Sequence, residues 1–431
     1  MRATFVTRLS ESLRKSFAAA LSAGLVIMSV ASAPASAADD MISISNWFKV
    51  GTGSDRDWQI VETKGDPNTL SIRPKHLQSS RALRRVLVLY PRASSAYDTA
   101  MTKILEVFAD KKIDTEFEIS LFNIDPVLGK AAIDLAERNN YDLILAMGSE
   151  STAWLWSAYR GGRLPVVSVC SKDPVLLGQA KNYETGSGTN FAFTSLNMPI
   201  DAQMSYVMQL RPNLKNLAIL VDATNFSAVQ TQAQPAKQFA RARGIQVFEL
   251  AVKSPENAKA ELSRLVHDAV TAMRKNDIDL SNSLFWITGS TTVFAEIATI
   301  NANSFRVPVL STVTDVVRSG DATAVLSVGI SFESNAHQSA LYAIDILEGK
   351  RKASEMAVGI VSPPDVAISF RKAREIGMRV PFTLFEGASV IYDNDGRLVR
   401  TNGSTPVAQA QSGTASQTAP EAVPSSAYNI E

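Results

Sequence analysis

From about residue 86 the chain alternates short apolar runs with amphipathic stretches. "VLVLYP" (86–91), "LILAMG" (143–148) and "LPVVSV" (164–169) are near-continuous aliphatic runs, the pattern of parallel strands buried on both faces. The intervening segments 97–111, 130–139 and 152–160 repeat apolar positions at helical spacing and predict covering helices. Strand and helix in regular alternation predict an open α/β sheet. After "TNFAFTS" (189–195) and a helical segment from Pro199 to Gln209 the same grammar restarts. Its strands are "LAILVD" (217–222), "IQVFEL" (245–250), "LFWITG" (284–289) and "VPVLST" (307–312).

The restart is a copy in detail. "MGSESTAW" (147–154) matches "TGSTTVFA" (288–295), with Gly148 and Gly289 separated by 141 positions. "LPVVSVCSKD" (164–173) matches "VPVLSTVTD" (307–315), with Pro165 and Pro308 separated by 143, and "VLVLYPRASSAYD" (86–98) echoes "LAILVDATNFSAV" (217–229). Three pairs in one order predict two similar Rossmann-like lobes with parallel sheets joined by a hinge. Lobe I is expected over 85–210, joined by crossover elements from about 324–392, and lobe II over 211–323. Those later elements are "AVLSVGIS" (324–331), a helix from Ser334 to Leu347 closed by Gly349, "VAISF" (366–370), a short helix "RKAREIG" (371–377) and "ASVIYDNDG" (388–396).

The ends differ in kind. Arg2, Arg8, Arg14 and Lys15 precede the apolar run "LSAGLVIMSVA" (21–31), and "ASA" (35–37) supplies small residues, so residues 1–37 read as a signal peptide cleaved after Ala37, with an uncleaved membrane anchor as the alternative. Residues 38–84 hold Trp47, Phe48 and Trp58 among Gly, Asp and Lys, and read as a loose extension with some packing against lobe I. From 401 to 431 the chain is rich in Ala, Ser, Gln, Thr and Pro and reads as a disordered tail.

The whole chain has 431 residues, 45% of them hydrophobic, enough for two or three cored domains. Removing the leader takes the formal charge from +1 to about −2, which gives no electrostatic footprint for nucleic acid. The single cysteine, Cys170, excludes an internal disulfide, and no cysteine stands at the cleavage point to carry a lipid. The expected destination is the periplasm.

At these residues the sequence resembles the ABC-transporter substrate-binding proteins of the tryptophan/tyrosine-transporter type, which have the type I periplasmic-binding fold. The resemblance covers roughly 84–392 and is carried by "LRPNLKNLAIL" (210–220), the run from "STTVF" through "VPVLSTVTDVV" to "YAIDILEGK", and "VAISFRKAREIGMRVPFTLFEGASVI" (366–391). It implies a two-lobed receptor that closes on a small molecule, often an amino acid or related carboxylate, and presents it to an ABC permease in the inner membrane. The chain departs from the family at "SES" around Glu150 and at "STTVF", both where the ligand is expected.

In an open α/β sheet the ligand lies beyond the carboxyl ends of the strands. Gly148 and Gly289 allow close backbone approach there, and Ser149, Ser151, Thr152, Ser290, Thr291 and Thr292 supply short hydrogen-bonding groups. Each hydroxyl alone reads first as a helix cap; the two turns together, facing one cleft, read as ligand contacts. The first turns of the lobes place Ser94, Ser95 and Tyr97 opposite Asn225, Phe226 and Ser227, with Phe226 either stacking on a ligand or packing under its own helix. Asp222, Asp315 and Glu150 read as acceptors for an ammonium, or as caps and solvated carboxylates.

Enzyme chemistry finds no purchase. "GSES" lacks the G-x-S-x-G spacing, His76, His267 and His337 stand outside any triad pattern, and no phosphate-loop motif or His/Cys metal cluster occurs. The expectation is a non-enzymatic periplasmic solute-binding protein, monomeric, without cofactor, metal or nucleic acid. The alternative is a periplasmic ligand sensor docking on a membrane signalling protein.

Overall fold

The computed structural model describes residues 41–63, 65–77 and 82–401; the leader with its cleavage point and residues 402–431 of the tail lie outside the described residues. Lobe I is a seven-stranded sheet in the order Trp58–Glu62, Thr69–Pro74, Thr115–Leu121, Arg84–Tyr90, Leu143–Met147, Val166–Val169 and Phe191–Ala192. The last five run parallel and the first two are antiparallel additions. Period-two alternation divides its core. Val86, Val88 and Tyr90 face helices Ser95–Asp110 and Phe332–Leu347, while Leu87 and Leu89 face Pro126–Arg138 and Gly148–Ala158.

Lobe II has eight strands in the order Gln246–Val252, Asn216–Asp222, Ser283–Ile287, Val309–Ser311, Leu326–Gly329, Asp365–Ser369, Val390–Tyr392 and Leu398–Arg400. The first five are parallel. The internal repeat holds at the level of register. Val86 pairs with Leu143 as Leu217 pairs with Leu284, and Ile144 pairs with Val166 as Phe285 pairs with Val309.

The chain passes between the lobes three times, and this divides residues 324–392 differently from the expectation that they join lobe I. Leu326–Gly329 lies in the lobe II sheet, helix Phe332–Leu347 packs on lobe I, and Asp365–Ser369 with everything after it returns to lobe II. Between them Thr194–Ser195 and Gly359–Ile360 form a short parallel ladder of their own. An apolar run does not state which of two similar sheets it will extend, so the sequence pattern carried no information on this choice.

The extension is also more than loose packing. Trp58–Glu62 and Thr69–Pro74 prolong the lobe I sheet through Thr115–Leu121. Upstream, Trp47 and Phe48 are buried with their rings 6.1 Å from that of Tyr90, Trp47 Nε1 donates to Pro67 O at 2.8 Å, and Gly51 N donates to Thr102 Oγ1 at 3.0 Å. The strand Thr115–Leu121 went unread because Glu116 and Glu118 interrupt its apolar positions. Glu116 is paired with Arg73 and Arg85, and Glu118 accepts from the Tyr141 hydroxyl at 2.7 Å.

One contact of the extension sets a pH dependence. Asp98, 4% exposed, sits in the first turn of its helix with Oδ1 unpartnered, and burial pushes its carboxyl up to about 7 although the Lys49 N–H and charge oppose this. Its folded value thus exceeds its unfolded one, so its contribution favours the fold below about pH 4 and is lost as pH rises through about 7. Asp98→Asn is expected to stabilise the protein by roughly 1–3 kcal/mol at pH 8 and to make little difference at pH 4. Urea unfolding at the two pH values checks this, and equal stability of variant and wild type at pH 8 contradicts it.

Candidate functional site

The two lobes meet where Lys172 of lobe I lies against Gly289 of lobe II. In lobe I the helix Ser95–Asp110 opens with Ser94 as its flanking residue; the Ser94 side chain makes no capping bond, and Ser95 is exposed. Tyr97, one turn further, lays its phenol over Gly148. A Cβ at 148 would overlap Tyr97 Oη and lie 2.7 Å from Cζ, and Gly148 has φ +75°. Burial, then the charge of Glu150, pushes the Tyr97 hydroxyl well above its ordinary value, so it stays a neutral donor. Glu150 is ion-paired with Arg92, and burial raises its carboxyl against that pull.

Within the "SES" turn the hydroxyls divide. Ser149 Oγ accepts the Lys172 N–H at 2.9 Å and remains half-buried at the seam. Ser151 Oγ donates to Leu89 O at 3.0 Å and Thr152 Oγ1 to Gly148 O at 2.8 Å, both fully buried. Those two hydroxyls are spent inside lobe I, the first against the neighbouring strand and the second on its own helix.

Lobe II divides in the same way. Asp222 Oδ1 accepts from Thr224 N and Oγ1, and its Oδ2 from Thr292 Oγ1 at 2.7 Å, so Asp222 and Thr292 tie two turns together. The Asn225 side chain caps Ala228 N at 3.0 Å, and Ser290 is buried beside Thr288 Oγ1. Phe226 is 67% exposed and Thr291 is exposed. Gly289 N donates to Gln232 Oε1 at 2.7 Å, and Gln232 Nε2 in turn donates to Thr312 Oγ1 at 3.3 Å. Asp315 keeps an exposed face while the surrounding protein desolvates its carboxyl. That burial, with Glu333 and Asp365 adding, raises its carboxyl to about 6, and its own and Phe332's backbone N–H groups oppose the rise.

The residue that joins the halves is one the sequence reading passed over. Lys172, from the turn after Val166–Val169, reaches across to lobe II: a Cβ at Gly289 would overlap its Nζ and lie 3.3 Å from Gln232 Oε1. It is 5% exposed, and burial pushes its ammonium down to about 8, the Cys170 sulfur opposing. A signal was present. In the repeat, at the 143-residue offset of Pro165 and Pro308, Lys172 stands where the second copy has Asp315, one charge replacing the opposite one just past a buried strand. Beside it Cys170 is buried, its N–H donates to Asn335 Oδ1 at 2.7 Å, and burial, then the Asp315 charge, raises its thiol far above the reactive range.

Two cavities lie away from these turns. A groove of about 570 Å³ is lined by Glu256, Lys259, Ser263, Thr299 and Asn303, and a cavity of about 250 Å³ by Arg84, Lys112 and Leu347 among others. Among the described residues no His, Cys, Asp and Glu side chains gather as a metal site, and no helix is long and apolar enough to cross a membrane.

Comparison with known proteins bears on what this seam is for. No curated protein matches the chain. Among solved structures, an ABC domain from Streptococcus pneumonia in complex with L-Trp is 18% identical, with a TM-score of 0.55 over 72% of this chain and 100% of its own. A conserved domain protein from Vibrio cholerae is 18% identical with a TM-score of 0.57 over 72% and 99%. A ligand-free, open substrate binding protein with adhesive properties from Clostridium difficile is 19% identical with a TM-score of 0.55 over 72% and 99%. At these identities the likeness is one of fold, that of the two-lobed type I periplasmic binding proteins. A family model described as ABC transporter substrate binding protein matches residues 100–389, which take in most of both lobes and the crossings between them, and the chain belongs to that family.

Proposed function

We propose that the protein is the periplasmic receptor of an ABC-type uptake system, exported by its cleaved leader. It captures a small ligand, an amino acid or related carboxylate, between its lobes, and as a monomer presents it to an inner-membrane permease. The observation that carries this reading is the meeting of Lys172 from lobe I with Gly289 from lobe II, because it brings the repeated turns to one seam. In this reading Tyr97, Ser149 and Glu150 form one side of that seam, and Gly289, Thr291 and Asp315 the other; the approach of Lys172 to Gly289 and of Tyr97 to Gly148 supports it. Ser94, Ser95, Asn225 and Phe226 form the outer rim in this reading. Three crossings between the lobes suit hinge closure, and closure makes affinity depend on both halves.

A thermal-shift screen of the exported protein against amino acids, short carboxylates and aromatic acids tests the reading, with L-tryptophan first because the Streptococcus pneumonia structure holds it. A solute present at 100 times its Kd adds about 2.7 kcal/mol, a readily measured rise in Tm. Absence of a shift from every member of the panel overturns the reading.

A further inference from the structure

Lys172 is held in a way that a surface lysine is not. The main chain of its turn is anchored at three points: Cys170 N to Asn335 Oδ1 at 2.7 Å, Lys172 N to Ser149 Oγ at 2.9 Å, and Asp173 N to Asn197 Oδ1 at 3.2 Å. The turn therefore aims the side chain at Gly289 rather than letting it sweep. Among the described residues no hydrogen bond or ion pair meets its ammonium. The acidic groups nearby are committed elsewhere. Asp173 accepts from Val175 N, Leu176 N and the Tyr183 hydroxyl, Glu150 is paired with Arg92, and Asp315 faces Phe332, Glu333 and Asp365. The adjacent Ser171 Oγ, on a residue 1% exposed, is also unpartnered.

A buried ammonium without a partner is costly, and structures retain one where it meets a charge supplied from elsewhere. Its position on the seam decides what that charge does. A charge bound at Nζ touches the turn of lobe I and the Gly289 turn of lobe II at once, so recognising it and closing the lobes become one event.

We propose that Lys172 is the counter-ion of the transported solute's anionic group, which makes the ligand class small anions, with a carboxylate the first candidate and a phosphate the second. The inference rests on the solute-binding reading and deepens it. A carboxylate or phosphate oxygen at Nζ forms a charge-assisted hydrogen bond, and the missing side chain at Gly289 is what lets Nζ lie against the lobe II turn while it does so.

The test uses the full exported protein as wild type, Lys172→Met and Lys172→Gln. It is screened by thermal shift and calorimetry against L-tryptophan, L-glutamate, succinate and inorganic phosphate, with L-tryptophanamide and myo-inositol as probes lacking an anion. Lys172→Met without solute is expected to melt higher than wild type, since it replaces a buried charge with an apolar chain of like length. The best-binding anion is expected to lose at least about tenfold in affinity in both variants, the loss expected of a hydrogen bond to a charged group. Which anion binds separates carboxylate from phosphate. A lower Tm for Lys172→Met identifies a structural latch and overturns the assignment. If the best binder is uncharged, or an anion keeps its Kd within twofold in both variants, solute binding stands and the Lys172 role falls. If nothing in the panel binds wild type, both fall.

Discussion

Gly148→Ala is expected to cost roughly 2–4 kcal/mol of stability, from a conformational and a steric source that add. At φ +75° a residue with a Cβ is strained by about 1–2 kcal/mol. The new methyl would also overlap the Tyr97 hydroxyl and press on its ring, and overpacking of this kind costs typically 1–3 kcal/mol. Tyr97 is restrained from swinging aside. Its ring packs edge-on against Tyr90 at 5.5 Å, its carbonyl accepts the Tyr90 hydroxyl at 2.9 Å, and Tyr90 is fixed in turn by Trp47 and Phe48. Denaturant unfolding measures the loss, and a change below about 0.5 kcal/mol, the ordinary range of surface substitutions, contradicts the packing described.

Gly329→Ala should cost about as much and reach the seam as well. Gly329 ends the last lobe II strand before the chain crosses to helix Phe332–Leu347, and a Cβ there would overlap the Thr312 carbonyl oxygen and lie 2.8 Å from its carbon. Both atoms are backbone, so relief requires the turn after Val309–Ser311 to move. That turn carries Thr312 Oγ1, which accepts from Gln232, and Gln232 holds the Gly289 N–H. A loss of roughly 2–4 kcal/mol in unfolding is expected, together with weakened solute affinity, because a displacement at Thr312 is passed to the Gly289 turn. Reduced stability with unchanged affinity would break that link between hinge and seam.

The repeat was the most legible feature of the sequence because burial on both faces writes parallel strands as unbroken aliphatic runs. Aligning those runs sets Val86 against Leu217 and Leu143 against Leu284, and in the structure Val86 pairs with Leu143 as Leu217 pairs with Leu284. Thr115–Leu121 was hidden because its glutamates are neutralised by residues distant in sequence, Arg73 among them. The extension was hidden because its order comes from Tyr90 and Thr102, contacts that no local pattern displays. Among the turn residues the glycines were readable as places of close approach. Ser151, Thr152, Asp222 and Thr292 were not separable from Ser149 and Thr291, since which hydroxyls are spent internally depends on carbonyls and carboxylates brought in by the fold. Lys172 was missed because a lone lysine in a turn ordinarily faces water, whereas here it is buried with its ammonium against Gly289 of the second lobe.

A crystal structure of the protein with the first solute that raises its Tm tests the central claim most directly. The account predicts the solute on the seam, touching lobe I at Lys172 and Ser149 and lobe II at the turn of Gly289 and Thr291. A solute touching one lobe alone, or seated in the groove between Glu256 and Asn303, would contradict it.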